Sequence, residues 1–314
     1  MSKQKDYLHD KNRHRAGYNF EALTAAEPAL KSFVIKNPKG ESTIDFKNEQ
    51  AVKALNAGLL KHHYGLSYWD IPEGYLCPGI PGRAEYVHHI GDLLRADFGN
   101  KLPKGGRVRG IDVGLGANAA YPLIGNAQYG WHFVGSDVDD TAIANAQHII
   151  AQNPSIKKSI QVRKQANPNL IFKNIIQDGE RFDFTMCNPP FHQSAAAANA
   201  SAQRKNANLS PNTKDKSKLS FGGRYHELWY DGGEIAFIQK MAQGSKLFSH
   251  SCLWFTTLVS KEENLKKVDK ALVKAGAEES IVMEIETGNK LSRIVAWSFF
   301  NAKQRKAWAD LRWS

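Results

Sequence analysis

The chain has 314 residues, 42% of them hydrophobic, so it is long and apolar enough to build a substantial core and is not a disordered chain. Its 42 Lys and Arg against 31 Asp and Glu leave a net charge of +11, the balance of a protein that meets a polyanion. No apolar run approaches the roughly 18 residues a membrane span needs, the start Met1-Ser2-Lys3-Gln4-Lys5 has no apolar leader, and Cys77, Cys187 and Cys252 are spaced for neither a disulfide framework nor a zinc site.

Residues 1–17 read as a basic flexible arm, with Lys11, Arg13 and Arg15 contributing to a net +3 over 1–16. Residues 18–103 read as an accessory, RNA-binding region. Within it, Ala51, Val52, Leu55 and Leu59 share one face and predict a helix over 48–60. Glycines and prolines make 71–82 irregular, and 83–98 is again helical. The neighbouring pairs His62–His63 and His88–His89 do not chelate, because adjacent residues in a helix face different ways. No metal is expected.

From Gly106 the pattern changes to short apolar strands alternating with helices, the signature of a parallel sheet. Strands are predicted over 108–113, 132–136, 160–163, 182–187, 251–259, 280–285 and 293–300, and helices over 117–125, 140–153, 233–244 and 263–275. The closing strand pair has no long helix between its members, so the sheet over 104–302 ends in an antiparallel hairpin. One segment breaks the rhythm. Residues 193–222 are almost free of large apolar side chains and read as a mobile substrate loop. Arg204, Lys205, Lys214, Lys216, Lys218 and Arg224 give 204–224 a net +5, an expected grip on RNA phosphates. Residues 303–314 read as a basic tail of net +3, in which Trp308 and Trp313 either stack on RNA or cap the domain.

Two motifs carry chemistry. The stretch Gly110-Ile111-Asp112-Val113-Gly114-Leu115-Gly116-Ala117-Asn118 turns a first strand into a first helix, where glycines let a ligand approach backbone N–H groups at a helix start. Asp112 is placed to hold a ligand amine or to order the loop. Asp137 ends the second strand, where a carboxylate accepts both hydroxyls of a ribose. This motif also satisfies the dinucleotide fingerprint, so an oxidoreductase using NAD(P) stays open at this point.

The second motif is Asn188-Pro189-Pro190-Phe191, at the end of the fourth predicted strand. In an open α/β sheet ligands sit beyond the carboxyl ends of the strands, which brings Asn188 beside the cofactor. An exocyclic amine on a base is a poor nucleophile because its lone pair is delocalised into the ring. Two acceptors, the Asn188 side-chain oxygen and the Pro189 carbonyl, favour a more tetrahedral nitrogen. The prolines stiffen the turn, and Phe191 offers a face for a flipped base. The same tetrapeptide chemistry serves adenine N6, guanine N2 and glutamine side chains, so the residues alone leave those alternatives open. An idle RNA-binding protein has no use for the motif.

With Tyr121-Pro122-Leu123-Ile124-Gly125, Glu227-Leu228-Trp229, Gly232-Gly233-Glu234 and Ala296-Trp297-Ser298-Phe299, these motifs resemble those of the bacterial 23S ribosomal RNA (adenine(1618)-N6)-methyltransferase family, related to human methyltransferase-like protein sixteen. In the accessory region Tyr64-Gly65-Leu66, Trp69-Asp70-Ile71-Pro72 and Pro81-Gly82-Arg83 extend the resemblance, which runs from about Lys11 to about Phe300. It implies a class I S-adenosylmethionine-dependent methyltransferase fold: a Rossmann-like seven-stranded sheet whose last strand is antiparallel. It implies S-adenosylmethionine as cofactor and S-adenosylhomocysteine as product. The substrate it implies is 23S ribosomal RNA or a large-subunit assembly intermediate. By the resemblance Arg83 contacts the cofactor's methionine carboxylate, Gly114 and Asn118 line the glycine turn with Gly116, and Asp137 holds the ribose. Gln165 lies near the adenine ring, and Asn188 to Phe191 are catalytic. A monomer in the cytoplasm is expected.

Overall fold

The computed structural model describes residues 6–193, 229–287 and 290–314. The chain opens with α1 (Phe20–Ala26), a short antiparallel pair β1 (Val34–Lys36) and β2 (Ser42–Ile44), then α2 (Glu49–Tyr64) and α3 (Ile80–Asp97). The Asn48 side chain caps α2 by accepting from Gln50 and Ala51 N–H, and Gly65, at φ 70°, ends it in the left-handed conformation. Pro81 stands in the first turn of α3, where its missing N–H costs nothing.

Next come β3 (Arg109–Val113), α4 (Ala120–Tyr129), β4 (His132–Asp137), α5 (Asp140–Ala151), β5 (Ile160–Lys164) and β6 (Phe182–Cys187). From residue 229 onward follow α6 (Gly233–Lys246), β7 (Cys252–Val259), α7 (Leu265–Ala275), β8 (Glu279–Thr287), β9 (Lys290–Ser298) and α8 (Ala302–Trp313). Seven strands form one sheet in the order β5-β4-β3-β6-β7-β9-β8. Neighbours from β5 to β7 are parallel, and β9 is antiparallel to both β7 and β8. The carboxyl ends of β3, β4 and β6 therefore lie side by side. All six residues of β6 are buried, as expected of a central strand covered on both faces.

Predicted strands and observed ones differ by a few residues at their ends. The helix expected over 117–125 begins at Ala120, because Ala119 takes φ 51° and keeps 117–119 in the turn. The crossover from β5 to β6 runs through 165–181 without a helix.

The ends of the chain are more firmly held than their composition suggests. Residues 6–17 are not a free arm. Leu8 and His14 are buried, His9 N–H and Asn12 Nδ2 both donate to the buried Glu85 carboxylate at 2.9 and 2.6 Å, and His14 meets the Tyr64 hydroxyl at 2.9 Å. Neutral donors in a basic segment have found a carboxylate on α3. Residues 18–103 share the core of the sheet: one continuous cluster joins Leu55, Leu59, Tyr86 and Ile90 to Leu123, Trp131, Phe184 and Trp254. The basic tail is the helix α8, held by Asp183. This fully buried carboxylate accepts from Trp308 Nε1 (2.8 Å), Arg312 Nε (2.8 Å), Trp313 Nε1 (3.1 Å) and Arg109 N–H (2.7 Å). The open question about the two tryptophans resolves toward capping.

Candidate active site

A cavity opens at the carboxyl ends of β3, β4 and β6. Its wall brings together Arg83, Gly114, Gly116, Asn118, Asp137, Gln165, Asn188 and Pro190. Residues from separate stretches of sequence thus converge where the parallel sheet predicts.

The glycine turn is built by its backbone. Gly114 (φ 72°) and Gly116 (φ 64°) both take the left-handed conformation, and a side chain on Gly114 would meet nothing within 4 Å, so its Cα faces open space. Gly114 and Leu115 N–H both donate to Ser136 O at 2.9 Å, which ties the turn to β4. Asp137 closes the turn: one carboxylate oxygen accepts from Gly116 N–H at 2.8 Å and the other from Asp139 N–H at 3.0 Å. Each oxygen keeps a lone pair for a ligand hydroxyl. Burial raises the Asp137 carboxyl above the ordinary carboxylate range, against the pull of these N–H donors. The Asn118 side chain accepts from Ala120 N–H at 3.0 Å at the start of α4, so it orders the turn as well as lining the cavity.

Asp112 lies one residue inside β3 from the lining Val113. It is almost fully buried, and neither carboxylate oxygen has a hydrogen-bond partner. Burial pushes it up to about 8, with Arg83 pulling it down and Asp137 pushing it further up. A buried carboxyl without a donor is costly, and a ligand ammonium group would supply what it lacks.

The accessory region completes this half of the site. Arg83 lies 5.3 Å over the ring of Tyr121, which also lines the cavity. Trp69 Nε1 donates to Asn118 O at 2.9 Å, and the Tyr75 hydroxyl lies 3.1 Å from both oxygens of Asp139. Asn145 on α5 donates to both Ala117 O and Asp70 O, at 2.7 and 2.9 Å, clamping turn and accessory region together.

On the catalytic side, Asn188 follows β6 directly, and Pro190 lines the cavity beside it. Pro189 is buried, Phe191 is partly buried, and neither is among the lining residues. Gln165 lines the cavity while its amide donates to Lys173 O at 2.9 Å and accepts from Asn167 N–H at 3.1 Å, so it shapes the wall. Sequence reasoning gave no site role to Trp229, Tyr230 and Phe237, all of which line the cavity. The aromatic pair just ahead of Gly232-Gly233 was the available signal.

The basic residues expected to bind RNA divide into two groups. Lys11 pairs with Asp92 at 3.5 Å, Arg15 pairs with Asp10 and Asp6, and Arg13 donates to His63 O and lies 5.6 Å over the Tyr64 ring. Each of the three contacts a group of this chain, and Arg13 stays exposed while it does so. Arg204, Lys205, Lys214, Lys216, Lys218 and Arg224 lie outside the described residues. His88 meets the Tyr129 hydroxyl at 2.6 Å and stacks on His9. Among the described residues no group of His, Cys, Asp or Glu is gathered to hold a metal, and no helix is long and apolar enough to cross a membrane.

A family model described as RNA methyltransferase matches residues 2–301. The chain belongs to that family. This RNA methyltransferase is 50% identical to ribosomal RNA large subunit methyltransferase F of Shewanella halifaxensis, over 97% of this chain and 85% of that protein. It is also 50% identical to the protein of the same name from Cronobacter sakazakii, over 98% of this chain and 99% of that one. Among solved structures it resembles the hMettl16 catalytic domain in complex with MAT2A 3'UTR hairpin 1, with TM-score 0.78 and 29% identity over 94% of this chain and 96% of that one. It also resembles the N-terminal domain of human METTL16 in complex with SAH, with TM-score 0.73 and 26% identity over 94% and 99%.

The class I methyltransferase fold and the S-adenosylmethionine cofactor follow for this RNA methyltransferase. The residues fit that cofactor. The Asp112 carboxylate, just behind the lining Val113, the Arg83 guanidinium and the Asp137 carboxylate are the groups that would hold its ammonium group, its carboxylate and its ribose. The oxidoreductase reading of the glycine turn falls with this assignment.

Proposed function

We propose that this RNA methyltransferase modifies N6 of one adenine in 23S ribosomal RNA, the RNA of the large ribosomal subunit. One observation carries the reading: Asn188 and Pro190 share a cavity wall with the glycine turn and Asp137, so an amine acceptor lies beside the cofactor pocket. The names of the relatives, which specify the large-subunit RNA, support the substrate.

When bound, S-adenosylmethionine supplies a methyl group on a sulfonium, a leaving group that needs no acid. The protein's task is positioning and electrostatics. The Asn188 side-chain oxygen and the Pro189 carbonyl accept the two N6 hydrogens and draw the lone pair out of ring conjugation. The same oxygens stabilise the positive charge that develops on nitrogen as its bond to carbon forms, and one N6 proton then leaves to solvent. Phe191 stacks on the extruded base, at a cost lowered when the adenine is already unpaired. The cations of 204–224 hold phosphates and make binding salt-dependent. The protein works in the cytoplasm and as a monomer, with one basic surface sufficient for one RNA.

The test uses ribosomal RNA from cells lacking this gene, incubated with purified protein and labelled S-adenosylmethionine and then digested to nucleosides for mass spectrometry. The expected product is N6-methyladenosine at one position. N2-methylguanosine instead would keep fold and cofactor and overturn the base assignment.

A further inference from the structure

Part of the cavity wall is made by Trp229, Tyr230 and Phe237. Trp229 forms a parallel bridge with His192, and Tyr230 N–H donates to His192 O at 3.0 Å. Trp229 is thereby held against the segment that directly follows Asn188-Pro189-Pro190-Phe191. Its position is fixed from the other side too. Gly233, at φ 71°, packs so closely on Gln193 that a Cβ would come within 2.8 Å of its Cγ, and Tyr230 meets the Phe237 ring edge-on at 5.3 Å.

Trp229 is only partly buried, but its indole nitrogen is buried and has no hydrogen-bond partner. An indole N–H is a donor only, and a buried tryptophan N–H ordinarily finds an acceptor. Here the donor belongs to a residue that lines the cavity beside Asn188.

We propose that Trp229 reads the target base, its indole N–H donating to a ring nitrogen that flanks the reacting amine. This rests on the adenine-N6 reading above and deepens it. In adenine the amine-bearing carbon stands between N1 on one edge and the carbon chain leading to N7 on the other, and both nitrogens are acceptors. In guanine the amine on C2 is flanked by N1–H, a donor, and by N3. A fixed donor beside an amine acceptor therefore matches either edge of adenine, and it meets guanine donor to donor on one side. Asn188 and Pro189 recognise an amine; Trp229 recognises what lies next to it. A site that hydrogen-bonds its substrate rejects the analogue lacking that atom, because the buried group is left unpaired.

The experiment pairs Trp229→Phe, which keeps an aromatic face and removes the N–H, with single-atom changes in the RNA. Wild type and variant are compared on RNA carrying the target adenine, 1-deazaadenine or 7-deazaadenine, with adenosylhomocysteine affinity measured alongside. Trp229→Phe is expected to lower kcat/KM for the adenine RNA about tenfold or more, with adenosylhomocysteine binding unchanged within about twofold, which also reports a folded site. One of the two deaza substrates is expected to slow wild type by a similar factor and leave the variant no slower than it is on adenine. Equal discrimination by both enzymes against both deaza bases overturns the proposal. So does a loss of adenosylhomocysteine affinity as large as the loss of turnover, which would place Trp229 on the cofactor. The product made by the wild type reports separately on the adenine-N6 reading: N6-methyladenosine with an unaffected variant sinks only the role of Trp229.

Discussion

Tyr86 and Thr256, 170 residues apart in sequence, meet through their hydroxyls at 2.6 Å in the buried centre of the molecule. The direction of this bond follows from its neighbours. Thr256 gives its proton to Thr185 O, so Tyr86 donates to Thr256 and its own oxygen is free to accept from Cys187 N–H at 3.4 Å. The chain of donors runs from Cys187 through Tyr86 and Thr256 to Thr185. It ties α3 of the accessory region to the last residue of β6, immediately before Asn188.

Tyr86→Phe breaks this chain while keeping the ring. It leaves the Thr256 oxygen and Cys187 N–H short of a partner and is expected to cost about 1–3 kcal/mol of stability. Urea denaturation gives the loss. Turnover at saturating cofactor should fall as well, because the strand end that carries Asn188 is less firmly placed. A variant with lowered stability and full turnover would show that Tyr86 supports the core only.

Asn188→Ala removes an acceptor that acts on the amine as charge develops. The expected loss in kcat is about a hundredfold to a thousandfold, the scale for one preorganised group at a reacting centre. Adenosylhomocysteine affinity, measured by calorimetry, should be largely retained. Equal loss in both would move Asn188 from the amine to the cofactor.

The Asp112 carboxyl binds its proton up to about pH 8 in the folded protein, because burial disfavours the charge. The unfolded chain releases that proton near about pH 4. Stability from this group is therefore complete below about pH 4 and is lost progressively as pH rises to about 8. Thermal melts of the ligand-free protein should show this decline, and Asp112→Asn should show less of it, the remainder coming from Asp137, which burial also raises. Adenosylhomocysteine reverses the preference, since its ammonium group favours the ionised carboxylate. Its affinity should rise with pH toward about 8 in the wild type and be weaker and less pH-dependent in Asp112→Asn. A pH-independent wild type would remove Asp112 from the cofactor site.

Asp183→Ala leaves four donors around a buried site without their acceptor. The expected destabilisation is about 3–5 kcal/mol, with the shared core bringing α8 and the sheet down in one transition. Arg312→Ala removes two hydrogen bonds to a partly exposed guanidinium, leaves the other three donors in place, and should cost less, about 1–2 kcal/mol. RNA affinity of Arg312→Ala should match wild type, since its guanidinium is engaged by Asp183. A clear drop in a filter-binding titration would return the C-terminal helix to the RNA surface.

Replacing Lys214, Lys216 and Lys218 with alanine should weaken RNA binding for every sequence tried. It should also flatten the dependence of log affinity on log salt by about two units, at roughly 0.7 for each single-strand phosphate no longer neutralised. Lys11→Ala, whose ammonium group pairs with Asp92, should leave the slope unchanged. The reverse pattern would place the RNA on the N-terminal face.

The sequence by itself determined the sheet and the chemical half of the site. Gly114, Gly116, Asp137 and Asn188 are legible because each sits at the end of an apolar strand, and a parallel sheet gathers those ends on one edge. Their function depends on local backbone geometry, which neighbouring residues specify. The tertiary structure alone decided which charges are free and which polar atoms lack partners. Lys11 and Arg312 look like RNA-binding cations in basic segments, yet each lies against a carboxylate on another element. Trp229 reads as one more aromatic beside a glycine pair, yet it lines the cavity and its buried N–H has no acceptor. Those outcomes depend on pairings between residues far apart in the chain, and no local pattern encodes them.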